Sequence, residues 1–491
     1  MEKTPQLKRD FTEGPLFFRI TLFALPIMLT GVLQIAYSMA DNIVVGKFSG
    51  DVNALAAIGS TGALNTFIIN LLLGIAAGTG IVVAQYYGAK ENGKLSRCVH
   101  TAMLFSIVGG IVFGAVGLLI SKPALVLLET KPEILDAATL YLRIVCIGIP
   151  ANSVYNFGAS ILRATGNSKQ PLIILGTTGL VNVVLNLVFV IGCGMSVDGV
   201  AIATIISQYL SAIAVVFLLY KKRNEPFGLS FSKLSIDKAE FLKILRYGVP
   251  SGIQSSMFSI ANMVMINAVN TFPTTTVTAH TIASNIDGLA FTAMNGFGQS
   301  AVTFTGQNCG AKKPERIKRA VLYCVIQETV AVILISTLEF VFARQLVSLY
   351  IERGAEDAGV ITDAAVTIMT VMLASMVLSG LLDAFTGALK GLGYTLTAMM
   401  TSLICICGIR LVWITFGFPL DVFNSLTGLY LAYPISWFIA LITVIVCLLV
   451  AFNRFKKKLA TEGEEQDAAG ESDGTEENVA EVPCKENASA T

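Results

Sequence analysis

Gln85-Tyr86-Tyr87-Gly88-Ala89-Lys90 closes one apolar stretch, and Gln307-Asn308-Cys309-Gly310-Ala311-Lys312 closes another, 222 positions later. Two more landmarks keep nearly the same offset. Pro26 matches Pro250 at 224, and Leu162-Arg163-Ala164-Thr165-Gly166 recurs loosely as Leu389-Lys390-Gly391-Leu392-Gly393 at 227. Three landmarks in one order at one spacing indicate a duplicated unit of roughly 225 residues, far longer than a solenoid repeat. In an apolar chain, duplicated halves are the signature of a secondary transporter, with its site between the repeats.

Composition identifies the solvent. Hydrophobic residues make up 54% of the 491 positions and charged residues 14%, against about 25% charged in a soluble domain. Mean hydropathy is +0.71. Twelve apolar segments can be marked, from 16–46 through 241–270 and 276–308 to 426–452. In hydrocarbon every backbone group needs an internal partner, so these segments must be helices. Lys131-Pro132, Asn224-Glu225-Pro226 and Gly417-Phe418-Pro419 punctuate them as loops. The expected fold is an all-α membrane protein with twelve transmembrane helices in two six-helix lobes.

Charge sets the topology. With the N-terminus in the cytoplasm, 26 Lys and Arg fall in inner loops and 5 in outer ones, as the positive-inside rule requires. Six spans per half make each copy enter the membrane the same way, so the lobes are parallel repeats. The expected divisions are a cytoplasmic N-terminus 1–15, an N-lobe 16–222, a cytoplasmic linker 223–240, a C-lobe 241–453 and an acidic, disordered cytoplasmic tail 454–491. The first fifteen residues are polar, so no removable signal peptide is expected. A net charge of +1 gives no reason to expect a nucleic-acid partner. The nine cysteines are scattered and read as free, packed thiols.

Several classes of function lack their motifs. There is no G-x-x-x-x-G-K-[ST] phosphate loop, no H-E-x-x-H or Cys/His cluster and no TVGYG filter. No nucleophile and base pair suggests an intramembrane enzyme, so neither enzymatic activity nor an organic cofactor is expected.

The charged residues inside spans are the functional candidates, because each costs several kcal/mol unless it meets a partner or water. Gln34, Tyr37, Ser38 and Asp41 fall at i, i+3, i+4 and i+7 on the first span. Asn182 and Asn186 share one face of the fifth span, and Thr204 lies in the sixth. A carboxylate, two amide carbonyls and a hydroxyl are hard oxygen ligands suited to a small cation such as sodium. A desolvated Asp41 is equally able to carry a proton. The structural alternatives are that Asp41 ends its helix at the outer surface and that the asparagines only bond between helices. In the second half the position equivalent to Asp41 is Met265. There Gln254, Asn262, Asn285, Asp287 and Asp383, together with Gln34 of the first half, are candidate substrate contacts. Asp287 and Asp383 read equally well as structural acids. His280 reads as a satisfied core or rim residue and Arg410 as a snorkelling side chain near Trp413. Glu328 and Arg143 receive no role.

The ordered set Ala40-Asp41-Asn42-Ile43-Val44-Val45-Gly46, Ala54-Leu55-Ala56-Ala57-Ile58-Gly59, Ala84-Gln85-Tyr86-Tyr87-Gly88-Ala89 and Ser160-Ile161-Leu162-Arg163-Ala164-Thr165-Gly166 resembles the multidrug and toxic compound extrusion (MATE) family. Asn182-Val183-Val184-Leu185-Asn186 and Gly306-Gln307-Asn308-Cys309-Gly310-Ala311 are similar too. The resemblance runs from residue 15 to about 452. It implies two six-helix lobes forming a V and efflux driven by a sodium or proton gradient. It also implies that Tyr37, Asp41, Asn182 and Thr204 line an N-lobe cation site. Asn186 departs from the branch that has an acid there.

The expectation is a multi-pass protein of the plasma (inner) membrane, monomeric among its lipids. It would exchange sodium or protons for amphipathic, cationic small molecules by alternating access. The alternative is a flippase for a lipid-linked oligosaccharide, which would want a cationic cavity.

Overall fold

A computed structural model describes residues 10–48, 54–351 and 357–474. Helix is the only regular structure among them. The first half comprises α1 (Leu16–Phe48), α2 (Ala54–Ala89), α3 (Asn92–Leu127), α4 (Pro132–Ala164), α5 (Lys169–Leu187) and α6 (Val197–Lys221). The second comprises α7 (Lys238–Val269), α8 (Thr274–Gly310), α9 (Pro314–Val341), a short α10 (Ala343–Ser348) and α11 (Ala358–Gly391). An interrupted rod follows, α12 (Thr395–Thr401) and α13 (Ile409–Val412), and then α14 (Leu426–Tyr430) and α15 (Ala432–Gly474). Wide π turns occur at Val188–Gly192, Ser402–Gly408 and Trp413–Gly417.

Ten of the twelve expected segments form helices long and apolar enough to cross a bilayer. The other two, α7 and α8, have 32 and 37 residues. At about 1.5 Å per residue they also outreach a hydrocarbon core of about 30 Å. They fall short in apolarity because Ser, Thr, Gln and Asn crowd them.

The duplication reappears in the backbone. Lys90 and Lys312, which end the two matched motifs, both adopt left-handed conformations at φ 58° and 56°. Each closes its helix with the same bonds, Lys90 N to Tyr87 O at 3.2 Å and Lys312 N to Cys309 O at 3.1 Å. The third landmark pair behaves alike. Gly166 and Gly393 sit at φ 84° and 93°, a region that only glycine enters without strain. Each donates to the carbonyl three residues back at 2.8 Å.

One face of the molecule gathers the basic loops and both described ends of the chain. There Phe11 N donates to Gln307 Oε1 at 2.9 Å, and Gln307 Nε2 donates to Ala164 O at 2.7 Å. Gln85 Nε2 donates to Gly391 O at 3.0 Å, so the repeated glutamines each bind the opposite lobe. Helix α15 runs on past the apolar stretch, and on this face Lys312 meets its Glu462 at 2.5 Å and Glu315 meets its Lys456 at 2.9 Å. The acidic segment expected to be disordered therefore begins as helix as far as Gly474. Residues 475–491, and 1–9 at the other end, lie outside the described residues.

The lobes meet along α2, α7 and α8. A side chain at Gly74 would collide with the backbone of Gly252, and one at Gly78 with that of Gly248. Such small-residue faces let membrane helices approach closely. Four turns further from the basic face, Gly59 and Gly62 of α2 have nothing within 4 Å. The molecule is thus closed on its basic face and open on the other. Like α2, α1 packs on both lobes, on α5 of its own half and on α8 of the other. Phe11 and Phe23 surround Phe304 of α8, while the C-terminal half of α1 lies on α5. Pro26 separates the two halves. In α7, Pro250 removes the partner of Arg246 O, and Thr395 Oγ1 reaches that carbonyl at 3.4 Å.

Arg410 differs from expectation. It does not snorkel; it is 2% exposed and stacks over Tyr433 at 4.1 Å. It donates to Ser436 Oγ at 3.3 Å and to Asn262 Oδ1 at 3.4 Å. Tyr433, Trp437 and Asn262 converge on it from two helices, and that cage holds the guanidinium inside the lobe. Trp413 donates to Gly428 O instead.

Candidate functional site

The two asparagines of α5 project from one face because they are four residues apart. Asn186 Nδ2 donates to Asp41 Oδ1 at 2.5 Å and lies 3.4 Å from Asn182 Oδ1. Asn182 Nδ2 reaches Thr204 Oγ1 at 3.5 Å. A ladder therefore crosses three helices, from the carboxylate of α1 through two amides of α5 to a hydroxyl of α6. The π turn Val188–Gly192 begins two residues beyond Asn186, and such local widenings are frequent at functional positions.

Tyr37 joins the same wall one turn below Asp41. Its hydroxyl donates to Gly176 O at 3.0 Å, and its ring lies where any side chain at Gly179 would stand. That contact draws α1 onto α5 and sets the height of Asp41 against Asn186. Of the residues expected in this site, Tyr37, Asp41, Asn182, Asn186 and Thr204 are gathered here; Gln34 is exposed, outside the ladder.

The ladder fits a small cation in its donor chemistry. Asn186 is fully buried, yet its Oδ1 has no hydrogen-bond partner among the described residues. An orphaned buried carbonyl costs about 1–3 kcal/mol, and a cation would use it together with Asp41 once the Asn186 amide, whose Nδ2 faces the carboxylate, turned over. For such an ion Asp41 would supply the charge, and Asn186 Oδ1, Asn182 Oδ1 and Thr204 Oγ1 would supply neutral oxygens. Among the described residues no three His, Cys, Asp or Glu side chains come together.

The C-lobe candidates are dispersed. Gln254 is buried and donates to Ser402 Oγ at 2.6 Å. Asn262 is tied to Arg410, and Asn285 is exposed on α8. The carboxylate of Asp383 lies against Gly298, where a methyl group would displace it. Asp287 is fully buried, with neither carboxyl oxygen hydrogen-bonded among the described residues. Glu328 and Glu339 are buried in the same state. Glu339 was missed in the sequence because it lies near the end of its span, where a carboxylate reads as an interfacial group. The rule applied to Asp41 would have found it. His280 is held by Tyr430 at 2.5 Å, a satisfied core residue.

Comparison with known proteins agrees with the duplicated fold. The MatE family model matches residues 26–188 and 250–415, one block in each half. The probable multidrug resistance protein YoeA of Bacillus subtilis is 26% identical over 436 residues, 87% of this chain and 92% of that one. The multidrug export protein MepA of Staphylococcus aureus is 25% identical over 408 residues, 81% of this chain and 87% of that one. Among solved structures, an outward-facing multidrug resistance MATE family transporter of the MOP superfamily superposes with a TM-score of 0.84. It shares 20% identity, with 93% of this chain and all of that one covered. With both halves matched in order and the two-lobe fold shared, the chain belongs to the MatE family and is a MATE family transporter.

Proposed function

We propose that this transporter exports amphipathic, cationic small molecules in exchange for sodium or protons, alternating between states open on either face. The ladder Asp41–Asn186–Asn182–Thr204 carries this reading. It sets the carboxylate of α1, the helix that also packs against the opposite lobe, beside an orphaned acceptor on α5. A ligand shifts a two-state structure only by binding one state better. A cation here would hold the C-terminal half of α1 on α5, whereas release would let that half move about Pro26. Because the N-terminal half of α1 rests on α8, such a movement reaches the lobe interface.

The names of the curated relatives, a probable multidrug resistance protein and a multidrug export protein, support drug-like cargo. The buried acids Asp287, Glu328 and Glu339 support cationic cargo and speak against the flippase alternative, since a lipid-linked polyanion needs a basic cavity. The 26-to-5 loop charge ratio supports a cytoplasmic basic face with both termini inside. The conformation described here then opens outward. Two amide oxygens suit direct coordination of sodium, and an amide pair takes up no proton, so sodium is the preferred coupling ion.

The test is export of a fluorescent organic cation from proteoliposomes under an imposed sodium or proton gradient, one at a time. Export driven by sodium alone is expected. Export driven equally well with no ion gradient would overturn the exchange mechanism.

A further inference from the structure

We propose that the basic face carries a site for an anionic phospholipid, built where the segment joining the lobes crosses the ends of α3 and α6. The inference draws on the transporter reading only in setting this face against a membrane surface. A polar cavity of roughly 680 Å³ lies there, lined by Ser96, Arg97 and His100 of α3 and by Arg223, Ser230 and Lys233 of the joining segment. An apolar groove of roughly 330 Å³ adjoins it along α6, lined by Ile213, Val216, Phe217, Tyr220 and Phe231.

The two spaces are parts of one construction. Arg223 Nη1 donates to Tyr220 OH at 2.8 Å, so a wall of the polar cavity is bonded to a wall of the groove. Phe231 lies against Tyr220 with ring centroids 5.3 Å apart, while its neighbour Ser230 lines the cavity. The cavity is preformed. Buried His100 accepts from Ser230 N at 3.0 Å through Nε2, and its Nδ1 is 2.7 Å from Ser96 O. Thr101 Oγ1 accepts from Asp237 N at 3.0 Å and donates to Ser235 O at 3.3 Å. These bonds staple the joining segment to the first turns of α3.

Charge selects the occupant. Arg97 is engaged by Asp237 at 3.4 Å, and Glu225 also lines the cavity. Arg223 and Lys233 then face a head group, beside the N-terminal end of the 36-residue α3, which favours an anion. Basic pockets at helix ends on a membrane face recognise acidic lipid head groups. Phe217 and Phe231, 64% and 58% exposed, mark the path of an acyl chain. A free phosphate would leave the groove unused. A zwitterionic lipid would bring an ammonium group toward Arg223 and Lys233.

Native mass spectrometry of the full-length chain in detergent tests this, with phosphatidylglycerol and phosphatidylcholine titrated separately. Preferential retention of phosphatidylglycerol is expected. An Arg223→Ser, Lys233→Ser double variant should lower that retention by roughly tenfold or more, the loss of two basic contacts. A Phe217→Ser variant should lower retention of the lipid without altering the charge of the cavity. Equal retention of both lipids, unchanged retention in the double variant, or equal displacement of the lipid by inorganic phosphate alone would overturn the proposal. Retention is read without transport, so its failure is distinguishable from failure of the exchange mechanism.

Discussion

Asp41 is the single carboxylate of the Asp41–Thr204 ladder, and its partners come from helices more than a hundred positions away in sequence. Replacing it by Asn keeps a side chain that can bond Asn186 but removes the charge. Neutral oxygens bind a monovalent cation weakly, and nothing remains to titrate. Asp41→Asn should therefore abolish gradient-driven export while the purified protein keeps its melting temperature within a few degrees, since one membrane hydrogen bond contributes about 1 kcal/mol or less. Normal export by this variant under either gradient would remove the N-lobe site. Asn182→Ala separates the ions. It should weaken sodium-driven export, because it deletes a coordinating oxygen. Loss of proton-driven export with sodium-driven export intact would instead make the ladder a proton site. The residue types of this site were legible in the sequence because a polar side chain stands out in an apolar span, and the spacing of Asn182 and Asn186 gave their common face. Two features were not legible. The orphaned Oδ1 of Asn186 depends on which way an amide points, and the seating of Tyr37 on Gly179 depends on how closely α1 and α5 approach. Neither leaves a trace in spacing.

At the scale of elements, the glycines of α2 and α7 determine which face closes. Gly74 and Gly78 face Gly252 and Gly248 so closely that a single methyl group would strike backbone. Backbone cannot step aside as a flexible side chain can, and such overpacking costs about 1–3 kcal/mol. The cost falls on the state described here, where the basic face is closed, because the contact exists only while the lobes meet there. Gly74→Ala should therefore shift the population toward the state open on the basic face. A cysteine placed near the basic-face end of α2 should become more reactive to a water-soluble thiol reagent. Gly59→Ala, on the same helix but with nothing within 4 Å, serves as the control and should leave labelling unchanged. Equal effects of the two substitutions would show that α2 helicity, and not the contact, is responsible. The spacing of Gly74 and Gly78 marks a close-packing face of α2 but does not say which helix meets it. The structure pairs them with α7, because a duplicated unit meets its copy across a shared axis and not position for position. The π turns in the eleventh segment were also hidden, since a wide turn keeps an apolar composition.

For the whole molecule, the duplication fixes both the number of crossings and their direction. Each half enters and leaves on the same side, and the structure brings Phe11, Gln307, Lys312 and Glu462 to one face. That was legible from three landmarks and the loop charges. What lay beyond the sequence was which face is closed, because under the proposed alternation both states share one chain and one pattern. A reporter fused after Lys458 should read as cytoplasmic; an external reading would invert the molecule and turn the open face inward. The last expectation concerns cargo and follows from the charge of the interior. Asp287, Glu328 and Glu339 are buried without hydrogen-bond partners among the described residues, whereas Arg410 is engaged by an amide, a hydroxyl and an aromatic ring. A buried carboxyl without a partner holds a proton and not a bare charge; a cation reaching it can displace that proton, whereas an organic anion finds no positive partner there. Expression in a drug-sensitive host should therefore raise tolerance to lipophilic cationic dyes severalfold more than tolerance to organic anions of similar size. Neutralising one acid, by Asp287→Asn, should narrow the difference while leaving the protein inserted. Tolerance to organic anions that equals or exceeds tolerance to cations would show that the buried acids are structural, and that the path cargo takes between the lobes is set by other residues.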